Sequence, residues 1–249
     1  IFAKLDEFRR AGKSAALVIV THTTGSTPRK AGSKMIVAAD GAHYGTVGGG
    51  ASEQKIIAEA RRIISSGNPE KMELDLEKDT HMHCGGSMEV YIEPIAAPQK
   101  LVIFGAGHVG AALANYAGDF GFWITLVDHR PELFDPLTEK GFELISEDYV
   151  STAKKIDPDE NTYFVVTTPQ HACDQEVTGI LGKKKFRYLG MIGSTKKVAL
   201  ARKHFLNNNI LTELQIEKID MPIGIPFNAQ TPQEIAISIL AKLIDVKNS

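Results

Sequence analysis

Cysteine is scarce in this chain: Cys84 and Cys173 are its two thiols in 249 residues. Two thiols cannot build the disulfide framework of a small secreted domain, and they fall short of the roughly four thiolates that an iron–sulfur cluster needs. The expectation is a protein of a reducing, cytoplasmic setting with no iron–sulfur centre of its own. Charge of one sign is lacking too. With 28 Lys and Arg against 30 Asp and Glu, the formal net charge is -2, which gives no long-range field for a polyanion, so nucleic acid is not expected as a partner. No apolar run approaches the ~20 residues required to cross a bilayer, and no membrane association is expected. The opening segment, 1–12, interleaves Lys4, Asp6, Glu7, Arg9 and Arg10 with apolar residues. That is the pattern of an amphipathic helix rather than the continuous apolar stretch of an export signal. Internal repeats and low-complexity tracts are absent as well.

What the chain does have is a glycine turn set between a strand and a helix. Leu101-Val102-Ile103-Phe104 leads into Gly105-Ala106-Gly107-His108-Val109-Gly110, a helical stretch follows, and Phe122–Val127 forms a second strand ending at Asp128. Gly105 permits the tight turn, Gly107 lets backbone approach a pyrophosphate, and Gly110 lets the helix lie close on the strand. Asp128 at the second strand's end is placed to accept hydrogen bonds from ribose hydroxyls, with Arg130 nearby. His108 lies inside the turn, within reach of a cofactor or on its rim. Further strands near 142–145, 162–168 and 186–192 alternate with helical segments, which predicts a parallel sheet covered on both faces, with ligands at its carboxyl edge. At that edge fall His171, as a group acting on or bonding a ligand, Asp174, as a helix cap or an orienter of the imidazole, and Gly193-Ser194, a turn opening a helix that carries Lys197. Thr231, Pro232 and Glu234 predict a capping box for the last helix.

The first part reads differently. Strands at 15–21, 34–39 and about 43–47, a helix over 52–64, and strands near 71–77 and 88–95 make an α+β unit. Two prolines in 93–99 without periodicity place the boundary there, giving domains 1–97 and 98–249. The fold class is therefore α/β, a Rossmann-like parallel-sheet domain following a smaller α+β domain. Gly48, Gly49 and Gly50 before the helix offer backbone N–H groups to an anion, and Arg29, in the turn 25–30, can clamp a phosphate. Cys84, with His81 and His83 close by, is a candidate functional thiol or contact to a soft metal. Its spacing does not match a zinc site.

In order, these segments resemble the XdhC/CoxI family, the accessory proteins of xanthine dehydrogenase and related molybdenum hydroxylases. The resemblance runs through residues 20–29, Gly45–Gly50 with Glu53, Cys84-Gly85-Gly86 leading into 89–94, Gly105–Gly110, and 127–130. It continues through His171 with Asp174, Gly190–Ser194 with Lys197, Pro222-Ile223-Gly224 and 231–236. It implies binding of molybdenum cofactor with Cys84 near the molybdenum, support of the cofactor's sulfuration by a cysteine desulfurase-type donor, and delivery to an apo molybdenum hydroxylase. It also implies a Rossmann-like second domain, a homodimer and a place in purine metabolism, and it makes the protein a non-redox chaperone. Ala51 stands where some members carry a cysteine, so a mechanism using that thiol is closed here. Asn228 replaces a family glycine. The rival reading is an NAD-dependent oxidoreductase, with NAD or another nucleotide on the glycine turn and His171 as acid or base.

Overall fold

A computed structural model of the chain describes residues 1–77 and 86–249. The chain divides into two compact units, Ile1–Pro98 and Gln99–Ser249.

In the first unit the continuous apolar run Ala15–Val20 is too short for a buried helix and is covered on both faces as a strand. It forms the centre of an antiparallel sheet of order β3-β2-β1-β5-β4, made of β1 (Ala15–Thr24), β2 (Lys34–Ala38), β3 (His43–Gly45), β4 (Glu70–Asp75) and β5 (Ser87–Ile95). Helix α1 (Phe2–Arg10) covers one face, with Leu5 and Phe8 against Leu17 and Ile36. Helix α2 (Gly50–Ser66) covers the other, burying Ile56, Ala60 and Ile63 against Val18, Val37 and Val90. The third strand is shorter than the expected 43–47. Val47 leaves the ladder and gives its N–H to the Glu53 carboxylate instead.

The second unit alternates strand and helix: β6 (Gln99–Phe104), α3 (His108–Ala117), β7 (Phe122–Val127), β8 (Glu143–Ile145), α4 (Tyr149–Lys155), β9 (Thr162–Val166), α5 (His171–Leu181) and β10 (Tyr188–Met191). Helices α6 (Thr195–Asn207), α7 (Glu213–Glu217) and α8 (Pro232–Asn248) follow. Between β7 and β8 the chain makes 3-10 turns over Pro131–Lys140, with Pro136 in their midst, rather than an α-helix. All five strands are parallel, in the order β10-β9-β6-β7-β8. The chain starts in the middle, builds to one side, then returns and builds to the other, so the winding direction reverses between β6 and β9. A crevice opens at such a point on the carboxyl edge, because the loops after the two strands leave in opposite directions. One face of the sheet carries α3 and α8 through Leu113, Ala114, Ile239 and Leu243. The other buries Phe104, Phe164, Val177 and Phe205. The Thr231 hydroxyl accepts the Glu234 N–H and the Glu234 carboxylate accepts the Thr231 N–H, the reciprocal cap expected for the last helix. Among the described residues no helix is long and apolar enough to cross a membrane.

Candidate functional site

The three glycines after β6 occupy three different physical situations. Gly105 has φ +112, and a Cβ there would sit 2.3 Å from the Thr167 carbonyl oxygen, so only glycine fits between β6 and the end of β9. At Gly110 a Cβ would meet the Gly105 carbonyl oxygen at 1.8 Å, which is how α3 comes to lie against its own turn. At Gly107 the backbone is ordinary (φ -64, ψ -173), and nothing lies within 4 Å of where a Cβ would be. This glycine therefore borders open space at the start of α3. The helix has no side-chain cap, which leaves its first N–H groups and its positive dipole end for an incoming anion. His108 is exposed on the rim of the turn.

Asp128 has no exposed surface. Its carboxylate accepts the Ala106 N–H at 2.8 Å, the Arg130 N–H at 3.1 Å and two guanidinium N–H groups of Arg130 at 2.9 Å each. Burial alone would raise its pKa, but Arg130 and the backbone amides outweigh burial and hold it at about 2. The Tyr149 hydroxyl is buried beside this pair and has no hydrogen-bond partner of good geometry among the described residues, so Arg130 and the amides carry the effect. Both carboxylate oxygens thus already serve the protein's own donors. Asp128 ties the glycine turn to the end of β7.

Around the end of β9 the side chains arrange themselves otherwise than expected. Gln170, not Asp174, is the residue before α5. Asp174 lies one turn inside the helix and reaches back, its Oδ1 accepting both the backbone N–H and the hydroxyl of Thr168 at 2.8 and 2.7 Å. Those bonds take Thr168 out of the strand, which ends at Val166. Asp174 does not orient the imidazole either, because His171 Nε2 pairs with the Gln175 amide at 3.2 Å. Burial pushes the Asp174 carboxyl up to about 6, with the Thr168 bonds and Lys197 offsetting only part of that rise. Ser194 caps α6 by accepting the Lys197 N–H.

His171, Asp174, Gly193, Ser194 and Lys197 border one cavity of about 920 Å³, which the segment 220–229 also lines. Asp220 holds that segment in place by accepting the Tyr188 hydroxyl and the Gly224 N–H. This wall was not foreseen as part of the site. Its signal in the sequence was the proline- and glycine-punctuated apolar stretch Pro222-Ile223-Gly224-Ile225-Pro226-Phe227, too short for a regular element.

In the first unit the glycine run 48–50 encloses a carboxylate of its own. Glu53 accepts the N–H groups of Val47 and Gly49 and the Thr46 hydroxyl. Burial opposes its ionisation, but these bonds outweigh burial and keep its pKa below the usual range. Pro28 packs beside Gly48, and Gly86 fits only because it lacks the Cβ that would strike the Ser26 and Thr24 carbonyl oxygens. The turn 25–30, the glycine run and the start of β5 therefore converge, with Arg29 exposed on the turn. Cys84, His81 and His83 lie outside the described residues. Among the described residues no group of three or more His, Cys, Asp or Glu side chains is arranged to hold a metal ion.

Residues 101–243 match the family model of the XdhC Rossmann domain, and residues 8–75 match that of the XdhC and CoxI family. The protein YqeB of Escherichia coli (strain K12) is 31% identical over 258 residues, spanning 100% of this chain and 46% of its own length. A probable xanthine dehydrogenase subunit of Bacillus subtilis (strain 168) is 27% identical over 168 residues, 66% of this chain and 48% of its own. The chain thus spans about half the length of the curated relatives it matches. A crystal structure described as a xanthine dehydrogenase from Bacillus halodurans shares the fold, with a TM-score of 0.52 at 20% identity over 97% of this chain and 95% of that one.

Proposed function

Since the chain belongs to the XdhC and CoxI family, we propose that it is an accessory protein that binds molybdenum cofactor as cargo, supports its sulfuration and delivers it to an apo molybdenum hydroxylase of the xanthine dehydrogenase type. A sulfur donor of the cysteine desulfurase type and a second copy of the chain complete the expected partners. The Bacillus subtilis relative, whose name places it in a xanthine dehydrogenase, supports the choice of recipient.

The observation that carries the reading is Gly107. Its unfilled Cβ direction and the uncapped start of α3 accommodate the phosphate of a pterin-type cargo without moving backbone. His108 on the rim has the position to contact that group, and Arg130 acts from behind by fixing Asp128 and, through it, the turn. The oxidoreductase reading fares less well, because the carboxylate it needs for a ribose is buried and bound to Arg130.

The test is anaerobic co-elution of the purified chain with molybdenum cofactor, scored by metal analysis and by fluorescence of the oxidised pterin, with NAD in parallel. Near-stoichiometric pterin and molybdenum are expected for the natural protein. For Gly107→Asp, whose side chain enters open space and adds a negative charge, retention falls at least ~10-fold while the melting curve is unchanged. Retention of NAD without pterin, or equal pterin retention by both proteins, overturns the proposal.

A further inference from the structure

The cavity at the carboxyl ends of β9 and β10 combines uncovered apolar surface with unmet polar groups. Phe227 and Ile225 line it and remain 52% and 41% exposed, and Ile223 continues the same wall. A volume of about 920 Å³ suits a small organic ligand, and an exposed aromatic face on the wall favours a flat one. Elsewhere on its lining stands His171, whose Nε2 pairs with the amide of Gln175, a residue that borders a different pocket. Nδ1 is buried and has no hydrogen-bond partner among the described residues, which is costly unless a water or, after a turn of the ring, a ligand supplies one. Asp174 offers the complement: Oδ1 takes both bonds from Thr168, and among the described residues Oδ2 takes none. An unpartnered ring nitrogen and a free carboxylate oxygen among the lining residues match the edge of a nitrogen heterocycle, which carries ring acceptors beside N–H groups. Lys197 adds an exposed ammonium, without an ion pair among the described residues, at the start of α6.

We propose that this cavity is a second ligand subsite, which takes a planar nitrogen heterocycle bearing an anionic group other than the phosphate placed at Gly107: the ring against Phe227 and Ile223, its polar edge on His171 and Asp174, and that anion on Lys197. The inference rests on the cofactor-carrier reading and assigns the pterin end of the cargo to this cavity. Thr167 packs on Gly105, and Thr168 lines the cavity, so the loop after β9 is the wall shared with the phosphate-binding turn.

The probes are pterin-6-carboxylate, read by its own fluorescence, and GMP as the purine counterpart, each titrated into the natural chain and into Lys197→Ala and His171→Ala, with melting curves confirming that both variants fold. Saturable binding of pterin-6-carboxylate, weaker by ~10-fold in either variant and tighter than GMP, is the expected result. No saturation at millimolar probe, equal binding by all three proteins, or preference for GMP overturns the assignment. Co-elution separates the two readings. Molybdenum cofactor retained equally by the natural chain and both variants leaves the carrier standing and removes the subsite. Lys197-dependent binding of pterin-6-carboxylate without retention of the whole cofactor does the reverse.

Discussion

Asp128→Asn removes one charge from a carboxylate with no exposed surface and four donated hydrogen bonds. The carboxylate titrates at about 2 in the folded chain against an ordinary value of 3.8. At 1.36 kcal/mol per unit, that difference corresponds to ~2 kcal/mol of stability. The sign follows from the depressed value. The stabilisation is complete above about pH 4 and is lost as the pH falls from there toward 2. An asparagine can still accept the Ala106 N–H through its amide oxygen, but its NH2 then faces the Arg130 guanidinium, donor against donor. The Arg130 side chain is 33% exposed and can recover some water, which keeps the loss well below that of a fully buried orphan charge. The expected cost near neutral pH is ~2–3 kcal/mol, or roughly 4–12 °C in the melting temperature of a chain this size. Calorimetric melts of both proteins across the acid range measure it. An asparagine variant that melts within about a degree of the natural chain near neutrality, or that keeps the natural acid slope below pH ~4, refutes the assignment of Asp128 as the tie between β7 and the glycine turn.

Gly110→Ala forces a methyl group to within 1.8 Å of the Gly105 carbonyl oxygen, a backbone atom that cannot swing aside. A destabilisation of ~3 kcal/mol or more is expected, and an unchanged denaturant midpoint contradicts the close packing of α3 on its turn. Asp174 has the opposite pH sign from Asp128. Burial raises its carboxyl to about 6, so the stability it confers when protonated is complete below about pH 4 and is lost as the pH rises through 6, by ~3 kcal/mol in all. Asp174→Asn keeps an acceptor for Thr168 and removes that decline, so the variant melts higher than the natural chain above pH ~6. Parallel slopes between pH ~4 and ~6 in the two proteins sink the argument.

The elements most legible in the sequence were those decided by neighbouring residues. The apolar run 15–21 read as a strand and lies within β1, and Thr231, Pro232 and Glu234 specified their helix start through backbone N–H groups three residues away. The glycine turn after β6 was readable for the same reason, since its conformation depends on the missing Cβ atoms themselves. What escaped was the use made of the carboxylates. Glu53 folds into the anion-shaped loop before its own helix, Asp128 turns inward to Arg130, and Asp174 reaches backward to Thr168. In each case a polar residue near a loop looks available from its position. Whether it meets a ligand or a backbone amide depends on packing that spacing does not encode. The cavity wall at 220–229 was hidden for a further reason. It joins His171 and Ser194 only because β10 lies beside β9, a consequence of sheet order rather than of local pattern.

The turn after β6 is held from several directions at once. The Gly105 N–H goes to the Val127 carbonyl, the Ala106 N–H to buried Asp128, and Gly110 presses on the carbonyl of Gly105. The conformational entropy of this loop is therefore surrendered when the unit folds, not when a ligand arrives. If the turn takes a phosphate as proposed, that ligand would meet a receptor that needs no ordering step, so capture would be governed by encounter and desolvation, with little of the binding free energy diverted to shaping the loop. For the proposed carrier the arrangement would serve in the other direction as well, because release would leave the loop as it was, ready for the next molecule.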